Sequence, residues 1–237
     1  MGLFIGNITK GNTILDYISN TTLSGHKVWG VTFNGTSTAG IRLYDAIGLK
    51  WTVSSAAAAG IDDFTLTNNG NSPFHIRKCV RQYDTTTKTS TYTFKDTDPT
   101  GYASLIASKT GDRMIAFPKF YYKRPDEWTF LVSNDPIDGF LPSPMHFKRP
   151  ALGMDKVMSD YVYVCEFNYS GVPSQPGTPT VNLTIKQFRD IATSNGMRLE
   201  DIETRMMVGM LSAIKYASFN SRSAVGTTAY SEANQYD

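Results

Sequence analysis

Residues 198–222, RLEDIETRMMVGMLSAIKYASFNSR, decide how the chain folds. Leu199, Ile202, Met206, Met210, Ile214 and Ala217 recur at steps of three and four, the spacing of one face of an α-helix. Met207, Leu211 and Ala213 widen that stripe, which predicts burial over more than half the circumference. Glu200, Asp201 and Glu203 crowd the first turns and Lys215 sits near the end, the charge order a helix dipole favours. Gly209 costs about 1 kcal/mol relative to Ala in a helix interior, so a close backbone contact is expected there. Ser218-Phe219-Asn220-Ser221 then prefers caps and turns. A helix this apolar has to be the floor of a core.

Working outward, residues 185–194 read as a shorter helix, capped by Thr184 and closed by Asn195-Gly196. A Pro/Gly/Ser loop over 171–179 precedes it. Before that loop, residues 161–167 are β-branched and aromatic nearly throughout, the clearest strand in the chain. Further strands are predicted over 28–33, ending at the turn signal Asn34-Gly35, and over 74–80, which alternate apolar and polar residues. Residues 36–49 read as a small-residue loop running into a short turn. Residues 84–98, rich in Thr with Tyr92 and Phe94, suit a protruding, solvent-exposed β-ribbon. Residues 114–123 are aromatic and strand-like, with Pro118 placing a bulge or an edge. Residues 128–132 form one more strand, followed by turns at 135–140 and 142–144. Residues 1–27 suit an irregular arm lying on a partner subunit, and 223–237 are small, polar and without periodicity.

Of the 237 residues, 41% are hydrophobic and the formal net charge is +2, ordinary for a globular protein and compatible with one large domain or two small ones. Lys and Arg are spread along the chain rather than gathered into a basic patch, which argues against a dedicated nucleic-acid protein. No window reaches the apolar length needed to cross a bilayer. The first ten residues have neither the apolar core nor the cleavage pattern of a secretion signal, and Gly6 stands where a myristoylation motif wants Ser or Thr. Cys79 and Cys165 read as buried thiols of a cytosolically made protein, with a bridge between them as the alternative.

Catalysis needs convergent groups with tuned proton affinity. His26, His75 and His146 lie in three separate segments, and no nucleophile elbow, P-loop, zinc-protease or dinucleotide motif is present. Cys165, mid-strand in an apolar run, reads as inert. Asp62-Asp63 lacks the spacing of a calcium loop. The expectation is therefore a non-enzymatic chain with no cofactor and no metal. Twelve per cent of residues are aromatic. Most are expected in packing; Trp51, Tyr92, Trp128 and Tyr230 are the candidates for stacking on a sugar face. Side chains alternate along Phe120-Tyr121-Tyr122, so at least one points away from the core; these three are the candidates for a subunit interface.

Several motifs together carry a resemblance. They are Gly30-Val31-x-Phe33-Asn34-Gly35 with Asp45-Ala46-Ile47-Gly48-Leu49; Ser72-Pro73-Phe74-x-Ile76-Arg77-Lys78-Cys79; Ile115-x-Phe117-Pro118-Lys119-Phe120-Tyr121-Tyr122-Lys123; and Phe188-Arg189-x-x-Ala192. The ending Tyr216-Ala217-Ser218-Phe219-Asn220-Ser221 completes them, similar to a Tyr-Gly-Thr-Phe-Asn-Ser-Gln motif after a leucine-rich helix. Spanning residues 28–226, the set resembles phage tail-fibre and related virion adhesin proteins with a C-type-lectin-like domain. That fold is shared more distantly with sulfatase-modifying enzymes, whose reactive C-terminal cysteine pair this sequence lacks.

The resemblance implies an α+β chain: a β-rich N-terminal region, then a partial C-type-lectin-like fold of one strand and two consecutive helices. Residues 1–60 would be an arm for virion attachment and oligomerisation, and 61–237 the lectin-like domain without its C-terminal ligand-binding loops. The implied function is that of a bacteriophage virion structural protein in a tail fibre, baseplate or head fibre, made in the host cytoplasm and involved in host-surface attachment. Implied partners are other virion proteins, further copies of the chain (a trimer is favoured) and a host-surface glycan or protein, with no nucleic acid and no membrane insertion. A purely architectural connector with no ligand of its own is the alternative.

Overall fold

Where the chain changes sheet sets the architecture of the computed structural model, which describes residues 25–47, 75–147, 158–166 and 183–220. The strands are β1 (Trp29–Thr32), β2 (Ile41–Tyr44), β3 (Arg77–Asp84), β4 (Thr89–Phe94), β5 (Asp112–Pro118), β6 (Tyr121–Lys123), β7 (Thr129–Ser133), β8 (Leu141–Pro142) and β9 (Tyr161–Cys165). The helices are α1 (Pro99–Ala107), α2 (Ile185–Ser194) and α3 (Ile202–Tyr216). One antiparallel sheet has the order β2-β1-β7-β6-β8 and the other β4-β3-β5-β9. Two sheets and three helices among the described residues make the chain α+β. The change of sheet occurs at Pro118-Lys119-Phe120, between the end of β5 at Pro118 and the start of β6 at Tyr121.

Both sheets turn a face to α3. Trp29, Val31 and Val132 of the five-stranded sheet, Phe117 of the four-stranded sheet, and Met207, Met210, Leu211, Ala213 and Ile214 of α3 belong to one buried cluster. Val162 and Val164 of β9 pack against the same cluster. Asp201 caps α3 by accepting from the Thr204 amide at 2.7 Å, as the acidic first turn suggests. At its other end Ala217 adopts a left-handed conformation (φ 48), and its carbonyl accepts from the Gly40 amide at 2.7 Å. Arg42 donates to the Lys215 carbonyl at 3.0 Å, placing a cation where the helix dipole favours one.

The buried stripe differs from the expected one. Ile202 and Met206 are 68% and 52% exposed, and Leu199 is exposed too, because the face that α3 turns to the core is the one carrying Thr204 and Met207. Met210, Leu211, Ala213, Ile214 and Lys215 are buried too. Gly209 likewise corrects the expectation of a close contact: it is exposed, and an added Cβ would meet nothing within 4 Å.

The expected boundary at residue 60 does not divide the core. β1 sits between β2 and β7, so residues 29–44, expected in an N-terminal arm, belong to the five-stranded sheet. Strand β2 was expected as loop; its IRLY pattern is too short for periodicity to reveal, and pairing with β1 makes it a strand. The expected β-ribbon is instead an ordinary hairpin whose second strand, β4, closes one edge of the four-stranded sheet. Helix α1 was not anticipated, although Asp98 before Pro99 is a start signal; the Asp98 carboxylate accepts from the Gly101 amide at 2.8 Å. The α2 boundaries match the sequence reading, with a Thr184–Gln187 capping box at one end and Gly196 (φ 61) just past the other.

Neither Cys79 nor Cys165 is in a disulfide, and the Cys165 thiol donates to the Met197 sulfur at 3.7 Å. Met114 pairs with each of them from either side, so they lie two strand spacings apart, about 9–10 Å, beyond the reach of a disulfide. Cys79 is buried as expected, whereas Cys165 is exposed at the end of an edge strand, a correction to its expected burial.

His146 locks the change of sheet. Fully buried, it donates from Nε2 to the Phe117 carbonyl at 3.2 Å and sets its ring edge-on to Phe120. Burial pushes its pKa from 6.5 down to about 4, so the folded state holds it neutral. A depressed histidine contributes stability that is complete above pH 6.5 and is lost as pH falls towards 4. The stability difference between the wild type and His146→Gln, measured by urea unfolding, is expected to shrink by about 3 kcal/mol over that window; a pH-independent difference would show that His146 titrates normally. Gly209→Ala is expected to stabilise the protein by about 1 kcal/mol in the same assay, whereas a loss would show that something packs on that position.

Candidate functional site

The register of the four-stranded sheet collects aromatic side chains on its outer face, away from α3. Directly paired residues share a face, so the pairs Cys79–Phe94, Arg81–Tyr92, Cys79–Met114, Met114–Cys165 and Ala116–Tyr163 put these residues on one side. Residues two apart on a strand join them, adding Arg77 and Tyr161. The central strands contribute small or flexible side chains here, the buried Cys79, Met114 and Ala116, and the edge strands contribute rings that cover them. Tyr92 and Tyr163, from opposite edges, stack with centroids 3.7 Å apart and planes 11° from parallel. Phe94 packs against Tyr161 and Tyr163 at 5.8 and 6.5 Å. All four rings are half-buried, so each keeps a part in solvent.

Charged groups frame the rings at two places. Arg77 lies over Phe94, 3.8 Å from its centroid, and grips Asp96 through two hydrogen bonds of 2.8 Å. Its third donor reaches the Tyr161 hydroxyl at 3.3 Å. Although burial opposes the charge, these bonds raise the Arg77 pKa and hold the Asp96 carboxyl below its ordinary range. His75 approaches the same carboxylate at 3.7 Å.

At the second place, Arg81 is only 2% exposed and every arm of its guanidinium is used. It donates to the Ser90 hydroxyl at 2.9 Å, to the Asp112 carboxylate at 2.9 Å, and to the carbonyls of Asn195 and Gly196 just past α2. This fork fastens the C-terminal end of α2 to the sheet. Gly196 sits against the Tyr83 ring with no room for a Cβ, and its φ of 61 is one that side chains disfavour.

Chemically, the face offers ring surfaces, tyrosine hydroxyls and one neutralised Arg–Asp pair. Burial raises the Cys79 thiol and the Tyr163 hydroxyl to about 12, so both stay protonated at neutral pH and neither is an activated nucleophile. Among the described residues no group of three or more His, Cys, Asp or Glu side chains has the arrangement to hold a metal ion. No helix among them is long and apolar enough to cross a membrane.

Of the candidates from sequence, Tyr92 lies at the centre of this face. Trp128 lies apart from it, before β7 in the other sheet, with its ring against Gly35 and its indole donating to Glu127 at 2.6 Å. Trp51 and Tyr230 lie outside the described residues. The interface candidates separate. Phe120 is fully buried in the chain's own core against His146, so it offers no surface to another subunit. Tyr122 packs on that core as well, while Tyr121 pairs with Ser133 and Pro142 and takes the opposite face. Phe94, Tyr161, Tyr163 and Arg77 were missed, although Tyr92-x-Phe94 and Tyr161-x-Tyr163 carry the two-residue spacing of a shared strand face.

Comparison of the chain with protein-family models, with curated proteins and with solved structures gave no match. The site therefore rests on its own geometry. Arg81→Met is expected to cost about 3–5 kcal/mol, because it leaves the Asp112 carboxylate and two helix-end carbonyls without their donor. Unfolding in urea measures this, and Arg81→Met combined with Asp112→Leu should recover part of the loss.

Proposed function

We propose that this chain is a non-enzymatic structural protein of a bacteriophage particle, part of a tail fibre, baseplate or head fibre, and that the aromatic face of its four-stranded sheet is a contact surface in host attachment. The observation that carries this is the cluster of Tyr92, Phe94, Tyr161 and Tyr163 with Arg77 over Phe94, since half-buried tyrosines beside arginine are the side chains that contact surfaces favour. Two further observations support the lectin-like scaffold implied by the resemblance. The order β9, α2, α3 follows the expected strand and two consecutive helices, with α3 in the core. Ala217 stands where the resembled motif has Gly, and it takes the left-handed conformation that Gly favours.

In this role each subunit binds weakly, and several copies on one particle raise the effective concentration. A connector with no ligand of its own is the second reading. One observation favours it: Tyr92 and Tyr163 spend a ring face on each other, which leaves less of each ring for a sugar to stack on. Binding of the purified chain to intact bacteria and to a glycan array tests attachment. A host-dependent signal that falls about tenfold or more in Tyr92→Ala, as loss of a stacking ring predicts, supports it. Absence of any host-dependent signal sinks attachment and leaves the connector.

A further inference from the structure

Strand β9 has an edge that the other described strands leave open. In the β5–β9 ladder, Lys119 donates to the Asp160 carbonyl at 2.9 Å and Glu166 donates to the Arg113 carbonyl at 3.0 Å. Alternation along an antiparallel pair then turns Val162 and Val164 towards β5. The N–H and C=O groups of Tyr161 and Tyr163 point the other way, out of the sheet edge. Among the described residues nothing hydrogen-bonds to those four groups.

Sheet edges are ordinarily blunted by brevity, proline, lysine or a kink. The other three edge strands each carry such a device. β8 is two residues long and ends in Pro142; β2 is four residues long and stops at Tyr44, in a left-handed conformation (φ 53); β4 is flanked by Lys88 and Lys95. β9 reads Tyr-Val-Tyr-Val-Cys, without charge, proline or bulge. Its nearest acids are engaged elsewhere: Asp160 pairs with Lys119 at 2.8 Å, and Glu166 pairs with Lys78 and Arg113 at 3.1 and 2.8 Å.

We propose that β9 pairs antiparallel with β9 of a second copy of this chain about a two-fold axis at Val162. This inference rests on backbone geometry and holds whether or not the chain belongs to a virion. Self-complementarity selects the occupant. With Val162 opposite the partner's Val162, Tyr161 lies opposite the partner's Tyr163, and the outward N–H and C=O groups of both tyrosines close four hydrogen bonds. The register places no charge opposite another. It sets Tyr161 and Tyr163 beside their counterparts on the outer face and joins the two four-stranded sheets into one of eight strands, continuous with the aromatic cluster.

Light scattering and hydrogen exchange on the full chain over a concentration series test this pairing. The expected result is a dimer in which the amides of Tyr161 and Tyr163 exchange about tenfold or more slowly than in the dilute monomer, while those of Val162 and Val164 are protected in both. Tyr163→Ala removes the ring that stacks on Tyr92 but keeps the outward N–H, and is expected to dimerise; Tyr163→Pro removes that ring and the N–H together, and is expected to give a folded monomer. A monomer at all concentrations overturns the proposal, as does a trimer or a dimer with freely exchanging Tyr161 and Tyr163 amides. Protection independent of concentration also overturns it, because the chain's own residues would then cover the edge.

Discussion

Burial of one helix face between two sheets is the constraint on which the remaining structure depends. Met207, Met210, Leu211 and Ile214 of α3 meet Trp29, Val31 and Val132 from one sheet and Phe117 from the other. Fully burying four such side chains is worth about 10 kcal/mol before entropy is counted, comparable with the whole net stability of a typical domain. Neither sheet has another apolar layer of that size among the described residues. This is why strands as distant in sequence as β1 and β7 pair directly: each must bring its core residues to the same helix.

A second constraint follows from having one helix serve two sheets. The chain must pass from one to the other within a few residues, and it does so at Pro118-Lys119-Phe120. Pro118 is the last residue of β5, Lys119 adds one more bond to the Asp160 carbonyl, and Phe120 drops into the core. The 3-10 turn Pro144–His146 then closes over this corner, with the His146 ring bonded to the Phe117 carbonyl and packed on Phe120. The corner encloses the Phe117, Phe120 and His146 rings, and burial disfavours a charge on the imidazole.

The outer face of the four-stranded sheet solves a different problem, since no helix covers most of it. Its edge strands lean aromatic rings over the small residues of its middle, and Arg81 fastens the α2 terminus to the remaining part. Apolar surface is thereby enclosed without a second core. The rings remain partly in water, and the same strands that carry Tyr92 and Tyr163 form the two edges. Surface chemistry and edge chemistry are consequently coupled through β9, where Tyr161 and Tyr163 present rings to the face and backbone groups to the edge.

Elements with local signals were legible in the sequence. Thr184, Gln187 and Asn195-Gly196 determined α2, because caps act on neighbouring backbone groups. The β-branched and aromatic run of β9 and the apolar spacing of α3 were equally local. The tertiary structure decided which side of α3 is buried, since the same helix offers Met206 and Met207 equally and only the placement of β1, β7 and the 3-10 turn distinguishes them. It also decided that residues 29–44 belong to the main sheet, that Phe120 points inward, and that Tyr92 meets Tyr163 across the sheet. Periodicity fixes what a segment is; which segments become neighbours depends on distant strands competing for one buried surface, and no local pattern encodes that choice.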